Sequence, residues 1–217
     1  MYSDIQKILS RRDRPFPCKN RIELLKYTEM ETQKILKIIR KTESPLRRQL
    51  LIVALLTKLL KKMNKPAPVI IGGCALSYYS REVYFTSDID LAYPDREALD
   101  EVLKNIGFEK KGRYWVNEEL KLAVESPASS LPGEDSPVEV VELGEDLQCS
   151  VIGIEDLVID RLNAYKHWKS VIDGEMVELL LRRYRNDVDW SYLEKKALLP
   201  ENDTSPEILE LKNKVGL

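Results

Sequence analysis

The sequence predicts an α/β (α+β) protein, a mixed sheet flanked by helices, with N-terminal helices before it and a C-terminal helical subdomain after it. Three observations carry this. Residues about 20 to 65 are charged and leucine-rich at helical spacing, residues 66 to 150 alternate short apolar runs with turn residues, and helical periodicity returns from Ile154 onward. The expected division is therefore 1–65 as a helical region, 66–150 as the core and 151–217 as a helical subdomain. At 217 residues the chain can bury most of its apolar surface.

Ser44-Pro45 breaks the first helical stretch, because serine caps a helix start and proline fits its first turn, so two helices precede the sheet. Pro66 and Pro68 end the second, and Val69-Ile70-Ile71 reads as a short buried strand stopped by Gly72-Gly73. A helix beginning near Cys74 would carry Ala75, Leu76 and Tyr79; after a loop at Arg81-Glu82, an extended segment runs from Tyr84 to Tyr93. Leu99, Val102, Leu103 and Ile106 fall at helical intervals, and Gly107 is placed to end that helix. Arg113 to Val116 and Leu120 to Val124 read as a hairpin around Asn117-Glu118-Glu119, with one more strand at Val138 to Glu142 beyond the loop Ser126 to Pro137. Leu157, Val158, Leu162 and Tyr165, then Val177, Leu180 and Leu181, repeat at helical spacing, and Leu199 to Pro206 reads as a solvated connection before a last helix. There is no internal repeat and no low-complexity segment.

Composition excludes several classes. Lys and Arg number 34 against 36 Asp and Glu, so no overall basic field points to nucleic acid, though local basic patches remain compatible with the balance. Cys18, Cys74 and Cys149 are widely spaced without a CxxC pair, and His167 is the only histidine, which argues against a disulfide framework and a structural zinc site and for a reducing, cytoplasmic setting. The longest apolar run, Leu50 to Leu56, falls far short of the roughly 20 residues that span a bilayer and reads as a buried helix face. Asp4, Lys7, Arg11, Arg12, Asp13 and Arg14 leave no apolar stretch for a secretory signal, so export and membrane association are not expected.

The chemistry centres on Asp88-Ile89-Asp90-Leu91. Side chains alternate across a strand, so both aspartates project to one face and Ile89 and Leu91 to the other. Two carboxylates so placed repel unless a cation sits between them, and a hard, oxygen-seeking ion such as Mg²⁺ meets that need. In isolation the same pattern also serves turns, caps and solvated pairs. Gly72-Gly73-Cys74 lies between a strand and a helix, where backbone N–H groups can approach a phosphate; a tight turn that needs positive φ reads equally well. Val138-Glu139-Val140-Val141-Glu142 offers a third carboxylate, or an edge strand with outward charges.

Taken in order, these residues resemble the nucleotidyltransferase superfamily of the DNA polymerase beta type: a strand, Gly-Gly or Gly-Ser, a short helix, Asp-x-Asp on the next strand and a later third acid. The resemblance covers about residues 67 to 145, and 153–166 is similar to the helix that follows the core in small, stand-alone prokaryotic members. It implies Mg²⁺ or Mn²⁺ on the catalytic acids Asp88, Asp90 and Glu139, with Glu142 as the alternative third ligand. It also implies a nucleoside triphosphate at Gly72 and Gly73, with Ser77, Thr86 and Ser87 as phosphate contacts. Arg161 and Lys166 join them if their helix presents them inward. The implied reaction moves a nucleoside monophosphate to a hydroxyl on a small molecule, an RNA end or a protein, releasing pyrophosphate. Many relatives place an arginine shortly before Asp-x-Asp; here that stretch is Val83-Tyr84-Phe85-Thr86-Ser87, which leaves Arg81. That departure keeps open an inactive relative serving as a binding or regulatory module, including one half of a toxin–antitoxin-like pair with a cognate partner protein; a homo-oligomer is also compatible. His167 reads as structural or as a phosphate contact, Tyr78, Tyr79 and Trp115 as core or as base-stacking groups, and Lys58 to Lys65 as the wet face of a helix.

Overall fold

The computed structural model of the chain describes residues 21–144 and 146–216, with side chains from residue 29 onward. Cys18 and the charged residues from Asp4 to Arg14 lie outside the described residues. The elements are α1 (Arg21–Lys41), α2 (Pro45–Lys62), β1 (Val69–Ile71), α3 (Gly72–Ser80), β2 (Asp88–Ala92), α4 (Arg96–Asn105), β3 (Glu109–Lys111), β4 (Tyr114–Asn117), β5 (Leu122–Ala128), β6 (Val138–Gly144), β7 (Leu147–Ile152), α5 (Ile154–Trp168), α6 (Val171–Tyr184), α7 (Trp190–Ala197) and α8 (Ser205–Lys214). Contacts divide the described chain between Lys37 and Ile38, within α1, and everything from Ile38 onward belongs to one compact unit. The divisions expected near residues 65 and 150 therefore do not separate contact units: α2 and the C-terminal helices belong with the sheet.

Local chemistry explains the helix starts. Ser44 caps α2, its Oγ accepting the Arg47 N–H at 3.1 Å, with Pro45 in the first turn. Asp95 and Asp189 cap α4 and α7 in the same way, through the N–H groups of Ala98 and Tyr192. Leu50 through Leu56 are all buried, so the centre of α2 is covered all round. Each such Leu or Ile contributes roughly 1.5–3 kcal/mol by leaving water.

The seven strands form one mixed sheet in the order β3-β4-β5-β2-β1-β7-β6. β1 runs antiparallel to β2 and parallel to β7, and β2 runs parallel to β5. One face presents Ile70, Ile89, Leu91, Trp115, Val124, Cys149 and Val151, all buried. Helices α2 and α4 cover it: α2 packs on β7 and α4, and Trp115 Nε1 donates to Asp100 of α4 at 2.7 Å. On the other face Ile71, Asp88, Asp90, Ala123 and Glu125 stay partly accessible, and Val138 and Val140 are exposed. The sheet is thus closed on one side and open over much of the other.

Helix α3 leaves β1 without a loop and is held at its far end by α6. Arg183 donates to the carbonyls of Tyr79 and Ser80 at 3.3 and 2.7 Å, Tyr184 Oη donates to the Tyr79 carbonyl at 3.1 Å, and Tyr79 Oη donates to the Ile152 carbonyl at 2.9 Å. The bonds from Arg183 and Tyr184 satisfy carbonyls that the end of α3 leaves without intrahelical partners. Two strands, β3 and β7, were not predicted from sequence. No helix among the described residues is long and apolar enough to cross a membrane.

Candidate functional site

Asp88 and Asp90 lie on β2 with their side chains on the open face, and Ile89 and Leu91 are buried on the other. Two devices set the approach to this strand. The Thr86 hydroxyl accepts the Asp88 N–H at 3.2 Å, and the buried Gln49 of α2 donates to the Thr86 carbonyl at 2.7 Å. The helix beneath the sheet therefore fixes the turn that starts β2.

The glycine turn abuts the second aspartate. Gly72 has φ +58°, a conformation glycine adopts freely, and a Cβ there would stand 2.5 Å from Asp90 Oδ2. The Gly73 N–H donates to that same oxygen at 3.3 Å. The strand-to-helix turn and Asp90 thus form one wall of the site.

Glu125 supplies the third carboxylate here. It stands directly beside Asp90 in the parallel pairing of β2 and β5, on the same face, with 12 % of its side chain exposed. The expectation of Glu139, with Glu142 as alternative, is corrected by the register. Glu139 pairs with Val151, Val151 with Ile70 and Ile70 with Leu91, so its row belongs to the face opposite Asp90. Glu142 shares the aspartates' face through Gln148, but β6 lies three strands from β2, about 14 Å across the sheet, and its row is four residues, about 13 Å, along the strand from that of Asp90. The strand expected at Leu120 to Val124 stops one residue before Glu125, whereas β5 runs on to Ala128. The signal was present, because Leu122, Val124 and Ser126 are buried in alternation with Ala123 and Glu125.

Each carboxylate has a protein donor nearby. Ser87 Oγ lies 3.4 Å from Asp88 Oδ1, the Gly73 N–H serves Asp90, and Arg113 Nε lies 3.4 Å from Glu125 Oε1. Burial pushes the Asp90 carboxyl above its ordinary pKa; the charges of Glu125 and Asp88 add to this, while the Gly73 N–H and Arg161 act against it. Among the described residues, no three acidic, histidine or cysteine side chains converge tightly enough as they stand to hold an ion.

The remaining expected contacts divide. Ser87 is exposed and Thr86 half-buried beside Asp88, both at the site. Ser77 is buried, with 1 % exposure, and does not reach the open face. Arg161 is near enough to bias Asp90 electrostatically, but its guanidinium is taken by Asp160 at 2.5 Å and Asp173 at 3.1 Å. Lys166 is directed instead to Asp203 and Glu207 of the C-terminal segment, which removes it from the site. Arg81 is the exposed, left-handed residue that ends α3. Tyr79 and Trp115 are core, and His167 is exposed in the last turn of α5. No family model matches this chain, and no curated protein matches it.

Proposed function

We propose that the chain is a divalent-metal-dependent nucleotidyltransferase of the DNA polymerase beta type, transferring a nucleoside monophosphate to a hydroxyl acceptor. The observation that carries this reading is the set Asp88, Asp90 and Glu125 on one open face, with the Gly72-Gly73 turn packed against Asp90. The donor set suits Mg²⁺ or Mn²⁺, being three hard carboxylates of which Asp90 carries mutual repulsion that a cation would relieve. Asp88, Asp90 and Glu125 would hold the metal. Bound there, a divalent ion lowers the pKa of the acceptor hydroxyl and neutralises charge on the attacking and leaving oxygens.

The chain's own groups supply position and charge. Without side chains at 72 and 73, phosphate oxygens can approach the N–H groups at the start of α3, where the helix dipole favours negative charge. Ser87, exposed beside Asp88, offers a hydroxyl to the same phosphates. The acceptor oxygen forms a bond to the α-phosphorus, the α–β bridging P–O bond breaks, and pyrophosphate leaves with that electron pair. Glu125 accepts the proton from the acceptor.

The test incubates wild type with each radiolabelled nucleoside triphosphate, Mg²⁺ or Mn²⁺ and a host-cell extract, following label into small molecules, RNA and protein. Label should appear with wild type and fall by about 10²–10³-fold in Asp90→Asn and Glu125→Gln, the scale of losing a transition-state charge stabiliser. Glu139→Gln should stay within about twofold. Loss in Glu139→Gln with retention in Glu125→Gln would overturn the ligand assignment. No labelled product and no pyrophosphate from wild type would overturn catalysis.

A further inference from the structure

Arg113 occupies the turn between β3 and β4, at the mouth of the open face. Across the sheet, Lys111 pairs with Tyr114, Tyr114 stands opposite Glu125 one residue beyond the Trp115–Val124 pair, and Glu125 pairs with Asp90. The guanidinium lies over this row. Its Nε is 3.4 Å from Glu125 Oε1, its Nη2 donates to the Tyr114 hydroxyl, and its centre sits 4.8 Å from the Tyr114 ring centroid.

The two partners of this ion pair are unequal. Arg113 is 68 % exposed and Glu125 only 12 %, so the carboxylate is fixed by the sheet while the arginine is an arm from the surface. A guanidinium carries five N–H donors, and a single long contact through Nε is not the two-pronged pairing that makes such bridges strong. With the arginine in solvent and the contact at 3.4 Å, little holds the Arg113 side of this pair in place. Arg161, a cation that also influences Asp90, is 17 % exposed and paired with two aspartates, so it is not free to move. A dication on Glu125 would put its charge where the Arg113 charge now lies, and the two must compete.

We propose that Arg113 is a phosphate-binding residue that holds Glu125 until a divalent ion takes that carboxylate, and then turns on its Tyr114 stack to pair with the polyphosphate. This rests on the nucleotidyltransferase reading above. The released fork suits phosphate oxygens, which arginine binds through parallel N–H bonds. One residue would thus weaken binding of metal alone and strengthen binding of metal with polyphosphate. A residue that serves only as an ion-pair partner yields the first effect without the second.

The test uses the full chain, wild type and Arg113→Gln, with Asp90→Asn as control. Free Mn²⁺ is read by electron paramagnetic resonance, and inorganic tripolyphosphate, which has no base, is then titrated at saturating Mn²⁺ by calorimetry. Arg113→Gln should bind Mn²⁺ about two- to fivefold more tightly than wild type, the range of removing an exposed competing charge. It should bind tripolyphosphate about tenfold more weakly. Because Arg113 lies on the surface, thermal melting should match wild type. Unchanged or weaker Mn²⁺ binding in Arg113→Gln, or unchanged tripolyphosphate binding, overturns the role of Arg113, and the reading stands if Asp90→Asn has lost Mn²⁺. Equal Mn²⁺ binding by wild type and Asp90→Asn overturns the reading itself, and the role of Arg113 falls with it.

Discussion

Replacing Gly72 by alanine loads two costs on one position. At φ +58° a side chain costs roughly 1–2 kcal/mol in the left-handed region. The added Cβ would also stand 2.5 Å from Asp90 Oδ2, 3.1 Å from Cγ and 3.2 Å from Cβ, and pushing the carboxylate or the turn aside adds about 1–3 kcal/mol, as overpacking does. Gly72→Ala should therefore lose about 2–5 kcal/mol, and at about 2–4 °C per kcal/mol for a chain of this size its Tm should fall by about 4–20 °C. Gly73→Ala is the internal control. Its Cβ would come nearest to Thr86, at 3.3 Å from Cγ2, its φ is ordinary, and alanine's helix preference offsets the tightness, so its change should stay within about 1 kcal/mol. Urea unfolding followed by circular dichroism measures both. Combining Gly72→Ala with Asp90→Ala removes Oδ2 and Cγ and leaves the backbone cost, so the double-mutant cycle should give a coupling of at least about 1 kcal/mol. If Gly72→Ala costs no more than Gly73→Ala, or costs the same with and without the Asp90 carboxylate, the close approach of turn and acid is refuted.

The pH dependence of Asp90 follows from its raised pKa, whose largest cause is burial. Such a group contributes stability that is fully present below its unfolded pKa, near 3.9, and is lost as pH rises through the folded value. Asp90→Asn does not titrate there, so the variant should gain on wild type as pH rises from about 4 and keep a constant lead above the native pKa; melting curves across this range would count against the reasoning if wild type gained instead. Lys166→Met, which breaks pairs with Asp203 and Glu207 away from the aspartates, should leave the transfer rate within about twofold, and a large rate loss at unchanged stability would restore Lys166 to the site. Ile52→Ala, at a fully buried position in α2, should cost about 2–5 kcal/mol by urea unfolding with an unchanged slope; a loss under about 1 kcal/mol would show a looser core than described.

Local signals carried far in this chain, and the misses have physical reasons. Ser44-Pro45, Gly72-Gly73 and the alternation through Asp88 and Asp90 act within a few residues, and the helix start, turn and strand lie where those residues direct. The third carboxylate is a question of strand order, which is set by packing across the whole sheet. A strand with two glutamates, Val138 to Glu142, looked like the better donor, but β6 went to the edge and β5 went beside β2. Strand β7 is masked in the sequence by Gly153 and the strong helical pattern after it, although Leu147, Cys149 and Val151 alternate with Gln148 and Ser150. Arg113 and Lys166 show the same divide: which carboxylate an arm meets depends on elements far along the chain, Glu125 for one and Asp203 with Glu207 for the other.

The bonds from Arg183 and Tyr184 to the carbonyls that end α3 also govern how the protein opens. A helix of nine residues is too short to persist in water by itself, so α3 lasts only as long as α6 caps it and the sheet supports it. The amide hydrogens of α3 and the inner amides of α6 should then exchange with deuterium in a single cooperative opening, as one folding unit split by about a hundred residues of sequence. The turn at Gly72 belongs to that unit. A chain cut near residue 150 would lose the wall against Asp90 together with the helices, and the C-terminal third serves as the far end of the site's own scaffold.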